Sequence, residues 1–399
     1  MICYKINQRI IEMKTKLATA IALSLLAGTT FAAPTFYGEI DASVDYLPED
    51  NRSGFKDRDV VELNSNSSFV GLKGDEKLTD RLSAVYAIEW AFNSDGEGDD
   101  WSKRNRFVGL KDVQLGTLKV GAHDTPLKQL SSVVDTFNNY VGNRADITGI
   151  MTGENRTANS VVYEAPAIKL STGAIKVNAL LATGENTGFK SDKGVVKTAG
   201  RGLGDAWSAS VVYDSPVIVA GIAYDKAIPS TFLGRGISNA EYPEVEGGSI
   251  LALANTIRAV GRVNLNGGLA LKVLYQTSEV EKNNDVINST TLYTAVPVNP
   301  ANNIVVTAND IDDSQGWLIG AEYNLPTAKA WTVKGQYSQN TTEFNNGTAD
   351  FEAQQILVGA DYAFSKQVKA YGYAGYLTQE FDSAETKQPV LGTGLEYKF

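Results

Sequence analysis

His123 and Asp124 stand side by side, with Ser131 and Ser132 a few residues further on. A histidine base near a hydroxyl is the pairing that nucleophilic hydrolysis requires. That chemistry needs the base placed by geometry, and this histidine sits at a strand end running into a long connection, so hydrolysis is not expected. The acidic run Asp95-Gly96-Glu97-Gly98-Asp99-Asp100 could hold a divalent cation, but its spacing misses the EF-hand pattern and suits a solvated acidic loop. Gly392-Thr393-Gly394 has the glycines of a phosphate loop without a helix to follow it. One His and one Cys in 399 residues exclude zinc clusters, CxxC redox motifs and disulfide frameworks. A formal charge of -10 argues against a nucleic-acid partner. No catalytic, cofactor-binding or metal-binding residue is therefore expected, and the chain is not expected to be an enzyme.

The elements that carry these residues begin after a leader. Leu17 to Ala27 form an apolar run preceded by Lys14 and Lys16 and followed by Thr30-Phe31-Ala32, whose small residues fit a signal-peptidase site. The run is about half the length of a transmembrane helix. Cleavage is expected after Ala32, and residues 1–12 read as an over-extended start ahead of Met13. Removing residues 1–32 leaves 45 acidic against 32 basic residues, a net charge of -13, and takes away Cys3.

The remaining 33–399 shows no sustained helical spacing of apolar residues. What recurs is alternation over about ten residues, broken by Gly, Asn, Asp, Ser and Thr clusters. Phe36, Ile40, Ala42, Val44 and Tyr46 share one parity, and Tyr37, Glu39, Asp41, Ser43 and Asp45 the other. Leu82, Ala84, Tyr86, Ile88, Trp90 and Phe92 repeat the pattern, as do segments beginning at Trp207, Leu269, Trp317 and Trp331. The opposite faces of these later segments carry Ser208, Ser210, Lys272, Gln276, Glu322, Lys334 and Gln336. The stripes begin or end on Tyr, Trp or Phe, and the last one runs through Leu391, Thr393, Leu395 and Tyr397 to a terminal Phe399. An all-β transmembrane antiparallel barrel, apolar outside and polar within, accounts for these features better than a soluble sandwich.

About sixteen strands are expected, near 35–46, 67–74, 81–92, 104–112, 116–123, 159–165, 173–183, 205–213, 217–226, 248–263, 268–280, 315–325, 329–339, 353–363, 367–379 and 390–399; fourteen or eighteen remain open. The stretches 47–66, 93–103, 184–204, 227–247, 281–314 and 340–352 read as long loops on the extracellular side. The connection from Asp124 to Ala158 differs in carrying Val133, Val134, Phe137, Tyr140, Val141, Ile147 and Ile150, which an exposed loop does not need. A third loop folded into the lumen would need them.

At this point a resemblance enters. Ser68-Phe69-Val70-Gly71-Leu72-Lys73-Gly74 with Leu82-Ser83-Ala84-Val85-Tyr86 resembles the second and third strands of Gram-negative general diffusion porins, in their Neisseria- and Moraxella-type form. Arg104-Asn105-Arg106-Phe107-Val108-Gly109-Leu110 and Gly116-Thr117-Leu118-Lys119-Val120-Gly121 resemble the fourth and fifth, and Asn159-Ser160-Val161-Val162-Tyr163-Glu164-Ala165-Pro166 the strand after the inward loop. The resemblance implies an outer-membrane homotrimer whose third loop narrows the pore, with loop acids facing basic residues on the wall. Carried over position by position, Arg104 stands where the family places a wall arginine; Arg106, Arg81, Lys73 and Lys119 are the further basic candidates on the wall, and Asp135, Asp146 and Glu154 the acidic candidates on the loop. Arg106 shares the parity of Arg104. Phe69 and Ala122 stand where related porins carry arginine, which thins the basic wall and leaves the ion preference open. Phe399 and Tyr397 match the signal read by the outer-membrane assembly machinery.

The function these features imply is passive diffusion of ions and small hydrophilic solutes through a water-filled channel bedded in outer-membrane lipid and lipopolysaccharide. A substrate-preferring channel, or a surface adhesin or receptor barrel using its long loops, is the alternative.

Overall fold

Alternation becomes pairing in the computed structural model, which describes residues 33–48, 59–98, 101–234, 250–282, 293–294, 305–381 and 384–399. The leader expected over 1–32 lies outside the described residues. Sixteen antiparallel strands follow one another: β1 (Thr35–Leu47), β2 (Val60–Ser65 continuing as Phe69–Lys77), β3 (Leu82–Ala91), β4 (Ser102–Asp112), β5 (Gly116–Asp124), β6 (Arg156–Glu164), β7 (Ala174–Ala182) and β8 (Ala206–Asp214). Then come β9 (Ile218–Phe232), β10 (Ile250–Asn264), β11 (Leu269–Val280), β12 (Ile311–Asn324), β13 (Trp331–Phe344), β14 (Phe351–Ala363), β15 (Val368–Phe381) and β16 (Ala384–Lys398). Each pairs with its sequence neighbour, and β1 pairs with β16 from Glu39 opposite Lys398 to Tyr46 opposite Leu391. Gly38 and Phe399 exchange both backbone bonds, at 3.0 and 3.1 Å, and so shut the ring.

The two faces of the wall reverse the usual order of burial. On β1, Asp41, Ser43 and Asp45 are 3% exposed or less, whereas Ile40, Val44 and Tyr46 are 40–45% exposed. The same inversion runs round the barrel, with Val108, Leu118, Val120, Ile222, Val273, Ile319, Val358 and Leu395 outside and Ser208, Gln276, Lys334 and Ser338 buried. A belt this large on a water-exposed surface would drive association, so its solvent is the hydrocarbon of a bilayer. β1 begins and β16 ends at the end of the barrel that carries short turns such as 78–81, 113–115, 215–217 and 265–268. With short turns periplasmic, the long connections are extracellular.

Several sequence-based boundaries move outward: β9 runs on to Phe232, β12 begins at Ile311 and β16 at Ala384. Residues 60–65, placed in the loop 47–66, are strand and pair with Ala42–Leu47. The loop at 340–352 shrinks to 345–350, because β13 and β14 extend further than their apolar stripes. Past the bilayer the outer face no longer has to be apolar, so alternation fades while backbone pairing continues.

Candidate functional site

Between β5 and β6 the chain forms three short helices, α1 (Pro126–Ser131), α2 (Tyr140–Asn143) and α3 (Ile147–Ile150). Thr125 opens α1 by accepting from Lys128 N at 3.1 Å, and Pro126 sets its first turn. Asp146 opens α3, accepting from Gly149 N at 3.0 Å and from Asn139 N at 3.2 Å. The apolar residues singled out in this segment pack on the buried face of the wall. Leu127, Leu130, Val134, Ile147 and Ile150 join Phe232, Ile250, Leu274 and Leu318. Phe137, Tyr140 and Val141 join Leu47, Leu357, Tyr371 and Tyr373.

Polar clamps fix this packing. Arg258 on β10 is fully buried; its guanidinium ion-pairs with Glu154 and donates to Thr152 O at 2.9 Å, to Leu127 O at 3.4 Å and to Gln276 Oε1. One side chain therefore holds both ends of the segment. Thr136 N donates to Gln336 Oε1 at 2.7 Å, while Gln336 Nε2 donates to Asp135 at 3.2 Å. Arg144 pairs with Glu62 on β2. Asp135 also accepts from Ile147 N at 3.1 Å; burial and the nearby Asp146 carboxylate push its carboxyl up to about 7.

Two cavities flank this segment. One, of about 600 Å³, is lined by residues nearer the extracellular end, among them Lys103, Asp124, Lys128, Glu154 and Arg156. The other, of about 360 Å³, faces the periplasmic end and includes Glu39, Asp135, Lys334 and Glu396. Both are lined by Ser67 and Arg104 on the wall and by Ser132, Asn138 and Asn139 on the segment. Below this junction, charges of alternating sign run from strand to strand. Lys272 pairs with Glu322 at 2.5 Å, Lys334 with Asp361 at 2.9 Å, and Lys369 with Glu396 at 2.9 Å. Lys398 then meets Glu396 at 2.8 Å and Glu39 at 3.6 Å.

The expected wall residues separate. Arg104 lines both cavities, lies over the Phe69 ring at 4.4 Å and faces Glu89 at 3.7 Å. Arg106 does not share its face. The β3–β4 register shifts between Ile88 and Trp90, so Arg106 falls opposite Ile88 in line with exposed Val108, over the outer ring of Trp90 at 5.2 Å. Arg81 pairs with Asp112 at the short-turn end at 2.7 Å, and Lys73 lies over Tyr37 at 4.3 Å. Lys119 is held by Glu164 at 2.5 Å. None of these four lines the two cavities. Among the loop acids, Asp135 lines the lower cavity and Glu154 the upper, while Asp146 is 1% exposed and consumed as a cap.

Arg258, Lys272, Lys334 and Lys369 were not singled out. The signal existed, since Lys272 and Lys334 lie on the polar parity of strands whose alternation was clear. Tyr397 and Phe399 stack at 5.6 Å, and Phe399 meets Phe36 at 5.4 Å across the seam.

Other candidates for chemistry take structural roles. His123 Nδ1 sits 2.9 Å from Asp124 O, while Ser131 donates to Lys128 O and Glu154 and Ser132 donates to Gln129 O. Asp95 accepts from Ser65 N and Glu97 N, closing a turn. Gly392 and Gly394 lie inside β16, where a Cβ would collide with the rings of Tyr373 and Tyr371.

Comparison with known proteins places these features. The family model for Gram-negative porins matches residues 18–382. Major outer membrane protein P.IB of Neisseria gonorrhoeae is 25% identical over 385 residues, covering 95% of this chain and 98% of its own length. Major outer membrane protein P.IA of Neisseria meningitidis serogroup C is 24% identical, covering 97% and 100%. In fold, the chain is similar to an anion-selective porin from Comamonas acidovorans, with TM-score 0.63, 18% identity and coverage of 92% and 99%. It is also similar to the trimer form of OmpT of Vibrio cholerae, with TM-score 0.58, 18% identity and the same coverage. The closed ring of sixteen strands, the exposed apolar belt and the match to the family model agree: the chain belongs to the Gram-negative porin family and is a passive-diffusion channel of the outer membrane.

Proposed function

We propose that the segment between β5 and β6 crosses the lumen and narrows the channel to an aperture. Ser67 and Arg104 form one side of it, and Ser132, Asn138 and Asn139 the other. The observation that carries this reading is that, among the described residues, these five line both cavities, one toward each end of the barrel. The aperture's one charged group is then Arg104, opposed by neutral amides and a hydroxyl. Counting Arg104 in each, the upper cavity holds four cations against two carboxylates, and the lower one four against five. A pore selects by radius and by the field at its narrowest point. The channel therefore passes ions and small hydrophilic solutes in order of size, with a mild preference for anions.

The experiment is to place a cysteine at Asn138 and add a bulky, charged, water-soluble thiol reagent during single-channel recording. The expected result is a stepwise fall in conductance as each pore is modified. An unchanged current with complete labelling would remove the segment from the conduction path. The reading further includes a cleaved leader ending at Ala32, assembly through the terminal aromatic strand, and a homotrimer; a trimer form is described for the OmpT neighbour. The molecular mass of the detergent-extracted, unheated protein tests the last point.

A further inference from the structure

Arg106 is a cation on the face of the wall that is otherwise apolar. Ala122 is its register partner, and the next outward pair down, Val108 opposite Val120, is exposed. Its guanidinium lies over Trp90 and its Nε donates to Glu89 O at 3.4 Å. Among the described residues no carboxylate comes within ion-pair distance of it. A charge facing lipid is tolerated only near the interface, and more readily there if an anion meets it.

The structure provides a setting for such an anion. The connection after β7 carries a small hairpin, Lys190–Asp192 paired with Val195–Lys197, that leans back over the wall. Lys103 N donates to Lys193 O at 2.6 Å, and Val196 bridges to Thr157. Lys103 and Val195 line the large internal cavity on one side and a separate outer notch of about 320 Å³ on the other. That notch collects Lys103, Arg106, Lys190 and Lys197 against two carboxylates. Asp192 is engaged by Lys103 at 2.7 Å and Lys190 at 3.9 Å, and Glu185 by Lys197 at 3.0 Å. Two positive charges are left over, at the extracellular end of the barrel and directly above an exposed apolar strip of Val108, Leu110, Leu118 and Val120.

We propose that this notch binds the phosphate of an anionic lipid, with the acyl chains lying on the strip below. Guanidinium and ammonium groups suit phosphate oxygens, and the apolar strip singles out a lipid from a free ion. The proposal rests on the outer-membrane position of the barrel and not on the aperture.

The test titrates the refolded protein in neutral detergent with lipopolysaccharide, with the same material after removal of its phosphates, and with phosphatidylglycerol. Native mass spectrometry reads the bound lipid. The phosphorylated form is expected to bind at least tenfold more tightly than the dephosphorylated one. Arg106→Gln, and separately the pair Lys190→Gln/Lys197→Gln, are expected to lose at least that factor. Equal binding of the two phosphorylated lipids supports a general lipid-phosphate site, and a preference for lipopolysaccharide assigns the outer leaflet as its source. Binding that ignores the phosphates or the substitutions overturns the proposal. So does an oligomer that dissociates in the variants while lipid binding persists, which would give the notch to a second copy of the chain. Conductance of Lys190→Gln/Lys197→Gln is expected to be unchanged, so failure here leaves the channel reading intact.

Discussion

Lys334 Nζ, on β13, donates to the hydroxyl of Tyr140 at 2.7 Å and lies 4.3 Å from the centre of the same ring. The wall thus grips the segment between β5 and β6 at its middle by charge, hydrogen bond and ring face together. Asp361 completes the grip at 2.9 Å, and Tyr371 stacks on Tyr140 at 4.4 Å. Removing the ammonium in Lys334→Met forfeits hydrogen bonds to and from a charged group, each worth about 1.5–3 kcal/mol. The barrel is expected to fold, but with a looser segment. Single-channel records should show more open-state noise and brief closures, with Tyr140→Phe intermediate.

The second clamp is a buried ion pair, and its two halves are not independently dispensable. Glu154→Gln leaves the fully buried Arg258 without its counter-charge, a loss of about 3–5 kcal/mol by the usual behaviour of such pairs. Thermal unfolding of the refolded barrel is expected several degrees lower in that variant. Replacing both partners, with Arg258→Met added, should recover a substantial part of the loss, and the double-mutant cycle measures it.

On the proposed reading of the aperture, Arg104 sets the sign of its field. In a salt gradient the wild-type reversal potential is expected on the anion side, and Arg104→Ala should bring it to zero or beyond. An unchanged potential would move the selecting charges elsewhere.

Asp135 makes that potential depend on pH. Its carboxyl sits at about 7 in the fold against an ordinary value near 4, so the folded state holds the proton more tightly over that interval. Stability is therefore expected to fall as pH rises from about 4 to about 7, because ionisation forces a second buried charge beside Asp146. Above that range the added negative charge in the lower cavity opposes anions. Anion preference should be stronger at pH 5.5 than at pH 8.5, and Asp135→Asn should flatten the difference.

Much of this fold was legible because a barrel in lipid exposes its apolar residues with period two. All sixteen strands carry that mark where they cross the bilayer, and the misplaced boundaries lie beyond it. The buried packing of the segment between β5 and β6 was signalled by Phe137, Tyr140 and Ile147, which had no reason to be apolar in water. Site residues were harder to read. Arg104 and Arg106 have the same parity, and only the register shift beside Glu89 sends them to opposite faces. Lys272 and Lys334 were visible as polar members of their strands. Their partners Glu322 and Asp361, however, come from the next strand, and alternation within one strand says nothing of which neighbour lies alongside.

The seam between β1 and β16 has a consequence in time. Residues 39–46 find their second neighbour only in residues 391–398, so the ring cannot shut until the final stretch of chain is present. Before then the first strand offers an open backbone edge to any other chain, and the contacts that remove the hazard are among the most distant in the sequence. A chain built this way has no safe half-finished state. Its ring becomes whole only when the last strand meets the first.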